Sequence, residues 1–262
     1  LCGIDTVFKA GGAQAIAALA YGTASLPKVD KIFGPGNAWV TAAKQIVAAD
    51  PAGAAIDLPA GPSEVLVVAD DSARADFVAA DLLAQAEHDP LAQAILVTDC
   101  ASLAAAVVSE IGRQLPRLAR QSILARSVQA MRVIVVANLD TAIDVSNLYA
   151  PEHLLLQVRE PRRRLDAITN AGSVFIGPWS PEPMGDYCSG ANHVLPTYGY
   201  ARAWSGLSLH DFVKRMTVQE LDVAGLAALG PTAVTLAQLE GLDAHAAAVN
   251  LRLEALERRA AS

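Results

Sequence analysis

Four of the five histidines in this 262-residue chain stand near another side chain able to bind a metal or move a proton. Gln85 and His88 are three residues apart at the end of a helical pattern, so they share one face and can reach a single metal ion. The competing explanation is a helix C-terminus whose dipole favours a histidine. Glu152-His153 directly precedes the apolar run HLLLQV, which places a base and a proton shuttle at a sheet edge, where α/β enzymes bind ligands. A solvated strand start explains the pair equally well. The segment GDYCSGANH, residues 185–193, brings Asp186 and His193 into a glycine-bracketed loop with little apolar surface to bury. Such a loop needs a metal or a substrate to hold it, unless it is ordinary surface. Glu240 and His245 lie in a C-terminal helical stretch, with His245 in the first turn of a helix. The helix dipole disfavours a protonated imidazole there but not a neutral, metal-bound one. His210, beside Asp211, is assigned no role.

The glycine-rich pieces are less specific. Gly11-Gly12-Ala13-Gln14 and Gly34-Pro35-Gly36-Asn37 each lie between a strand pattern and a helix pattern. Exposed N–H groups at such helix starts attract phosphates, although tight βα turns need the same glycines. No GxGxxG dinucleotide fingerprint is present. Ser63 is not a nucleophile-elbow serine, because GxSxG is absent.

The elements that must position these residues alternate short β-type runs with longer helical ones, which predicts βα units and mainly parallel sheets. Residues 6–9 and 31–33 read as buried strands, Gln14 to Tyr21 as a helix, and a second helix runs to about Ala49. This first layer ends at the stiff passage Pro59-Ala60-Gly61-Pro62. A second series opens with the strand EVLVVAD and a helix from Ala73 to His88. AILVTD, RVIVVA, HLLLQV and SVFIG follow as strands, with helical stretches between the first four. A long polar loop spans Gly177 to Tyr200, and long loops inside compact domains are usually functional. From Leu209 the pattern is helical to the end. The expected fold is therefore α/β: two Rossmann-like α/β domains with mainly parallel sheets, at 1–63 and 64–207, plus a small helical domain at 208–262.

Composition narrows the function classes. The 53% hydrophobic content suits a helix-rich α/β protein, and a net charge of −7 with no basic stripe argues against nucleic acid as a partner. No apolar run approaches the ~20 residues that span a membrane, which argues against a membrane protein. The cysteines Cys2, Cys100 and Cys188 are far apart and form no CxxC pair, which predicts a reducing cytoplasm. The chain opens at Leu1, without methionine, within what reads as ordered structure.

In order, the pieces GGAQAIAALAYGT, IFGPGNAWVTAAK, DLPAGPSEVLV, DLLAQAEHDP, YAPEHLLLQ, GDYCSGANHVLPTYG and LEGLDAH closely resemble the histidinol dehydrogenase family, collinearly through residues 11–245. The resemblance implies an NAD-dependent enzyme that oxidises L-histidinol to L-histidine through L-histidinal with two NAD, in histidine biosynthesis. It implies one zinc ion per subunit, held by Gln85, His88, Asp186 and, from the partner's tail, His245. It implies Glu152 and His153 as the acid–base pair. Ser63, His193 and Glu240 would contact the substrate, alongside His153 and the zinc ligands. Gln14 and Asn37 would touch NAD. It also implies an intertwined homodimer with shared active sites, and a further N-terminal portion that contributes a tyrosine to the NAD site.

The chemistry fits those residue types. Two histidines, one carboxylate and one neutral amide leave a net positive zinc site, suited to holding an amine and an imidazole rather than to activating water. A zinc hydrolase would use the same ligands but needs an open, water-bearing metal position and no dinucleotide turns. The other alternative is a non-catalytic fragment that keeps the fold.

Overall fold

In the computed structural model, residues 3–59 and 61–260 are described; Leu1, Cys2, Ala60, Ala261 and Ser262 lie outside the described residues. Two compact units emerge, Leu1–Phe212 and Val213–Ser262. The architecture is α/β with parallel sheets, as the alternation of patterns predicts.

The first sheet is small. Strand β1 (Lys31–Ile32) pairs in parallel with β2 (Ala55–Ile56), and helix α2 (Ala38–Ala49) connects them. Helix α1 (Ala13–Tyr21) precedes β1, and Ile16, Ala20, Ile32, Val47 and Ala54 form the core between these elements. Asn37 caps α2: its side-chain oxygen accepts from the backbone N–H of Trp39 and Val40 at 3.1 and 3.2 Å. These are two of the donors that every helix start leaves unsatisfied. The glycine turn before α2 is pinned by a buried ion pair. Lys44 contacts Asp57 and donates to the Gly34 carbonyl at 2.9 Å, while Asp57 accepts from the Gly34 N–H at 2.7 Å. The strand expected at residues 6–9 does not form. Residues 3–10 are exposed and irregular, because no neighbouring strand satisfies their backbone groups. Strand β2 has no sequence signal, since two residues carry no periodicity.

The larger sheet holds β3 (Glu64–Ala69), β4 (Gln93–Thr98), β5 (Arg132–Val135), β6 (His153–Gln157) and β7 (Ser173–Ile176), all parallel, in the order β5-β4-β3-β6-β7. Every residue of β3 and β6 is buried, which is why both read as unbroken apolar runs rather than alternating ones. Val65 and Val67 pack on one face with Leu82 of α3 (Ala75–Ala86), and Leu66 and Val68 on the other with Leu154 and Leu156. Helices α4 (Ala101–Gln114), α5 (Gln121–Ala130) and α6 (Leu139–Tyr149) complete the crossovers.

Three boundaries differ from expectation. Helix α3 stops at Ala86, so His88 lies in the turn beyond it rather than on the helix. The segment 177–200 is not all loop, because Glu182–Tyr187 forms a short helix, α7. After the 3-10 turn Leu209–Phe212, residues 213–222 are irregular, and the tail helices are α8 (Val223–Leu239) and α9 (Asp243–Ala260). Gly230 lets α9 approach α8, since a Cβ there would meet Leu253 at 3.0 Å. Among the described residues, no helix is long and apolar enough to cross a membrane.

At the carboxyl end of the sheet, Asp81 of α3 is buried and accepts from Gln157 Nε2 at 3.3 Å. Burial pushes its carboxyl up to about 7, against the opposing effect of that hydrogen bond. Between the ordinary aspartate value of ~3.9 and the raised one, the folded protein holds a proton that the unfolded chain has released. Its contribution to stability is therefore most favourable below about pH 4 and falls as pH rises toward 7, by up to about 1.4 kcal/mol per pH unit. Asp81→Asn keeps an acceptor for Gln157 and removes the titration. The variant should gain stability over the parent at about pH 8 but not at about pH 4, as read from urea unfolding. An equal difference at both pH values would show that Asp81 is not the source.

Candidate active site

The predicted acid–base pair sits at the amino ends of the two central strands. The register pairs Val65 with His153, which places Glu64, the first residue of β3, beside Glu152. The pair therefore stands at the edge opposite to the ligand-binding one that the sequence leads one to expect. Ligands of open parallel sheets bind at the carboxyl edge, whereas a residue that immediately precedes a parallel strand must lie at the amino edge.

Backbone groups fix both side chains. The Glu64 N–H donates to Glu152 Oε2 at 2.8 Å, and the Glu64 carbonyl lies 3.1 Å from His153 Nδ1. A carbonyl only accepts, so Nδ1 carries the proton and Nε2 of the neutral ring is a proton acceptor. The same Glu152 Oε2 is 3.4 Å from Nδ1, and Glu182 Oε1 is 3.8 Å from Nε2. Ala150, at φ 57, ends α6 and turns the chain into Pro151. Gly172 then passes so close that a Cβ would lie 2.6 Å from the Glu152 carbonyl. Glu152 and His153 are 5% and 4% exposed. Burial works against the imidazolium, but Glu152 and Glu182 outweigh it and raise His153 above the ordinary histidine value.

Two further carboxylates belong to the group. Glu64 is pushed up to about 7 by burial, although its Oε1 accepts from the Tyr198 N–H at 2.9 Å. Glu182, 1% exposed, is also raised to about 7 by burial, with His153 opposing. Neither stands out in the sequence. Glu64 is hidden in an apolar strand, and Glu182 in a segment read as loop. The one available signal was the spacing of Glu182 and Asp186, four apart, which becomes a shared helix face only once α7 forms.

That face completes a cluster able to hold a cation. Ligand atoms of His88, Glu182 and Asp186 all lie within 4.8 Å of one another. Both amide atoms of the fully buried Gln85 have no hydrogen-bond partner. Buried polar atoms left unpaired are costly, and a bound metal ion satisfies acceptors of this kind. Oxygen and imidazole donors of this set suit zinc.

The other predicted residues are distributed more widely. Ser63 is half-buried just before β3, and its carbonyl accepts from the Gln93 N–H at 3.0 Å. His193 is exposed in the loop that leads into the buried stretch Val194–Thr197. Gln14 and Asn37 are exposed at the starts of α1 and α2, beside the smaller sheet. In the second unit, Glu240 and His245 line one cavity of about 720 Å³ between α8 and α9.

A sequence model of the family described as "Histidinol dehydrogenase" matches residues 1–253. The chain belongs to the histidinol dehydrogenase family. It is 57% identical over 260 residues to the histidinol dehydrogenase of Escherichia coli K12, covering 99% of this chain and 60% of that protein. It is 59% identical over 256 residues to that of Yersinia pestis, covering 98% and 58%. The crystal structure of histidinol dehydrogenase from Elizabethkingia anophelis superposes with a TM-score of 0.94 at 49% identity, over 97% of this chain and 58% of that one. The chain thus spans about 60% of the length of the curated relatives it matches.

Proposed function

We propose that this chain carries the acid–base and metal-binding part of an enzyme that oxidises L-histidinol to L-histidine through L-histidinal, in cytoplasmic histidine biosynthesis. The observation that carries the reading is the buried His153, its Nδ1 facing the Glu64 carbonyl and its Nε2 facing the group formed by His88, Glu182 and Asp186. Residues 64–207 act as the central catalytic domain and 1–63 as part of the NAD side. The tail, 208–262, crosses to a second copy of the chain.

Gln85, His88 and Asp186, with His245 of the partner subunit, would hold zinc. Ser63, His193 and Glu240 would contact the substrate, and Gln14 and Asn37 would contact NAD. When bound, zinc supplies a positive centre that holds the substrate's amine and imidazole, and NAD accepts the hydride of each oxidation. His153 Nε2 takes the hydroxyl proton as histidinol becomes the aldehyde. Glu152 then takes a proton from the water that adds to the aldehyde carbon while His153 returns its own proton to the aldehyde oxygen, and His153, neutral again, accepts the hydroxyl proton of the resulting diol as the acid forms. Glu152 Oε2 is held by the Glu64 N–H, so Oε1 is the oxygen available to that water.

The direct test is histidinol-dependent absorbance at 340 nm, with two NADH expected for each histidinol consumed. No NADH from zinc-loaded protein, with histidinol and NAD present, would overturn the reading. The shared site has its own test. Neither His88→Asn nor His245→Asn protein should be active alone, but mixing the two should restore a measurable fraction, because each hybrid dimer contains one intact site. No recovery after verified subunit exchange would exclude a crossing tail.

A further inference from the structure

Tyr198 adopts a left-handed backbone conformation, φ 53, one of only two non-glycine residues with positive φ among those described. Side chains disfavour this region, so the surrounding structure must impose it. Two contacts do so. The Tyr198 N–H donates to the buried Glu64 carboxylate at 2.9 Å, and the neighbouring Thr197 hydroxyl accepts from the Gly61 N–H at 2.5 Å. The phenol ring packs against Gly61, where any Cβ would overlap it.

The result is an aromatic ring held in place yet 58% exposed. It forms one wall of a cavity of about 410 Å³, lined also by Ala38 and Gln45 of α2 and by Gly61, Pro62 and Tyr200. Ala38 follows Asn37, assigned above to the cofactor, and Pro62 precedes Ser63, assigned to the substrate. The cavity therefore lies next to residues proposed for the cofactor and for the substrate, and Tyr198 lines it together with the Gln45 amide and the Tyr200 hydroxyl.

We infer that this cavity receives a planar heteroaromatic ring, the nicotinamide of the cofactor, with Tyr198 as the surface on which it stacks. The inference rests on the dehydrogenase reading and adds to it the residue that positions the reacting ring. Tyr198 is not assigned to proton transfer. Its role is to limit where the hydride acceptor sits relative to the substrate held near Ser63 and His153. An offset-stacked aromatic pair is worth enough to change an affinity by about three- to tenfold.

The test compares ligands that share or lack the nicotinamide. In Tyr198→Ala, the Kd for NAD should rise about three- to tenfold, while the Kd for ADP-ribose, which lacks that ring, stays at the parent value. Tyr198→Phe, which keeps the stacking face, should bind NAD like the parent, and zinc content should be unchanged in both. Gly61→Ala, which must displace the ring, should repeat the loss of NAD affinity. Equal weakening of NAD and ADP-ribose would place the adenine in the cavity instead and overturn the inference. So would unchanged NAD binding in Tyr198→Ala. If the parent protein itself bound no NAD and formed no NADH, the dehydrogenase reading would fail before this question arose.

Discussion

Changing Glu152 to Gln should slow the oxidation of histidinal by roughly 10²–10⁴-fold, the usual range for loss of a general base, while slowing the oxidation of histidinol far less. The two steps differ in what they ask of the protein. Alcohol oxidation needs one proton acceptor at the hydroxyl, the task proposed for His153 Nε2. Aldehyde oxidation first needs water added to the carbonyl carbon, and the water must lose a proton. Glu152 suits that task because it is buried beside His153, with one oxygen fixed by the Glu64 N–H. Glutamine can keep that hydrogen bond through its amide oxygen but cannot take a proton. The fold and the position of His153 should therefore survive the change. His153→Asn, by contrast, should depress both steps. Single-turnover measurement of the first and second NADH separates the two cases. Equal loss of both equivalents in Glu152→Gln would refute the division of labour and leave the family assignment intact.

His88→Asn should lower zinc affinity by more than the roughly 10–100-fold typical of losing an outer-shell partner, because it would remove a proposed ligand itself. His88 is exposed in a turn after α3, outside the core, so circular dichroism should report an intact fold. Glu182→Gln gives the informative contrast. Its carboxylate lies within 4.8 Å of His88 and Asp186, as close as a ligand would be, yet the resemblance assigns it no zinc. Metal content by mass spectrometry after dialysis should fall in His88→Asn and in Asp186→Asn and hold in Glu182→Gln. Loss of zinc in Glu182→Gln would make Glu182 a ligand and require a different donor set. Retention of zinc in His88→Asn would remove this cluster as the metal centre.

Much of the local structure follows from pattern alone. The runs EVLVVA and HLLLQ are uninterrupted because both faces of a central parallel strand are covered, and that burial is visible in residue type. Asn37 reads as a helix start because its side chain can cap the N–H groups that follow. His88, Asp186, Glu152 and His153 stand out because charged or imidazole groups are set into segments with little reason to carry them. What the sequence could not determine are relations between distant positions. Residues 6–9 look like a strand, but a strand needs a partner, and none is supplied within the described residues. The amino-edge location of the acid–base pair depends on strand order and direction, which come from pairing across 88 residues between Glu64 and Glu152. Glu64 and Glu182 become part of the site only when β3 is laid beside β6 and α7 folds back toward His153. The strained Tyr198 is equally invisible in sequence, since only the packing of Gly61 and Glu64 around it makes a left-handed tyrosine tolerable. Local periodicity records which residues a segment must bury; what they are buried against is decided by contacts that close only in the folded chain.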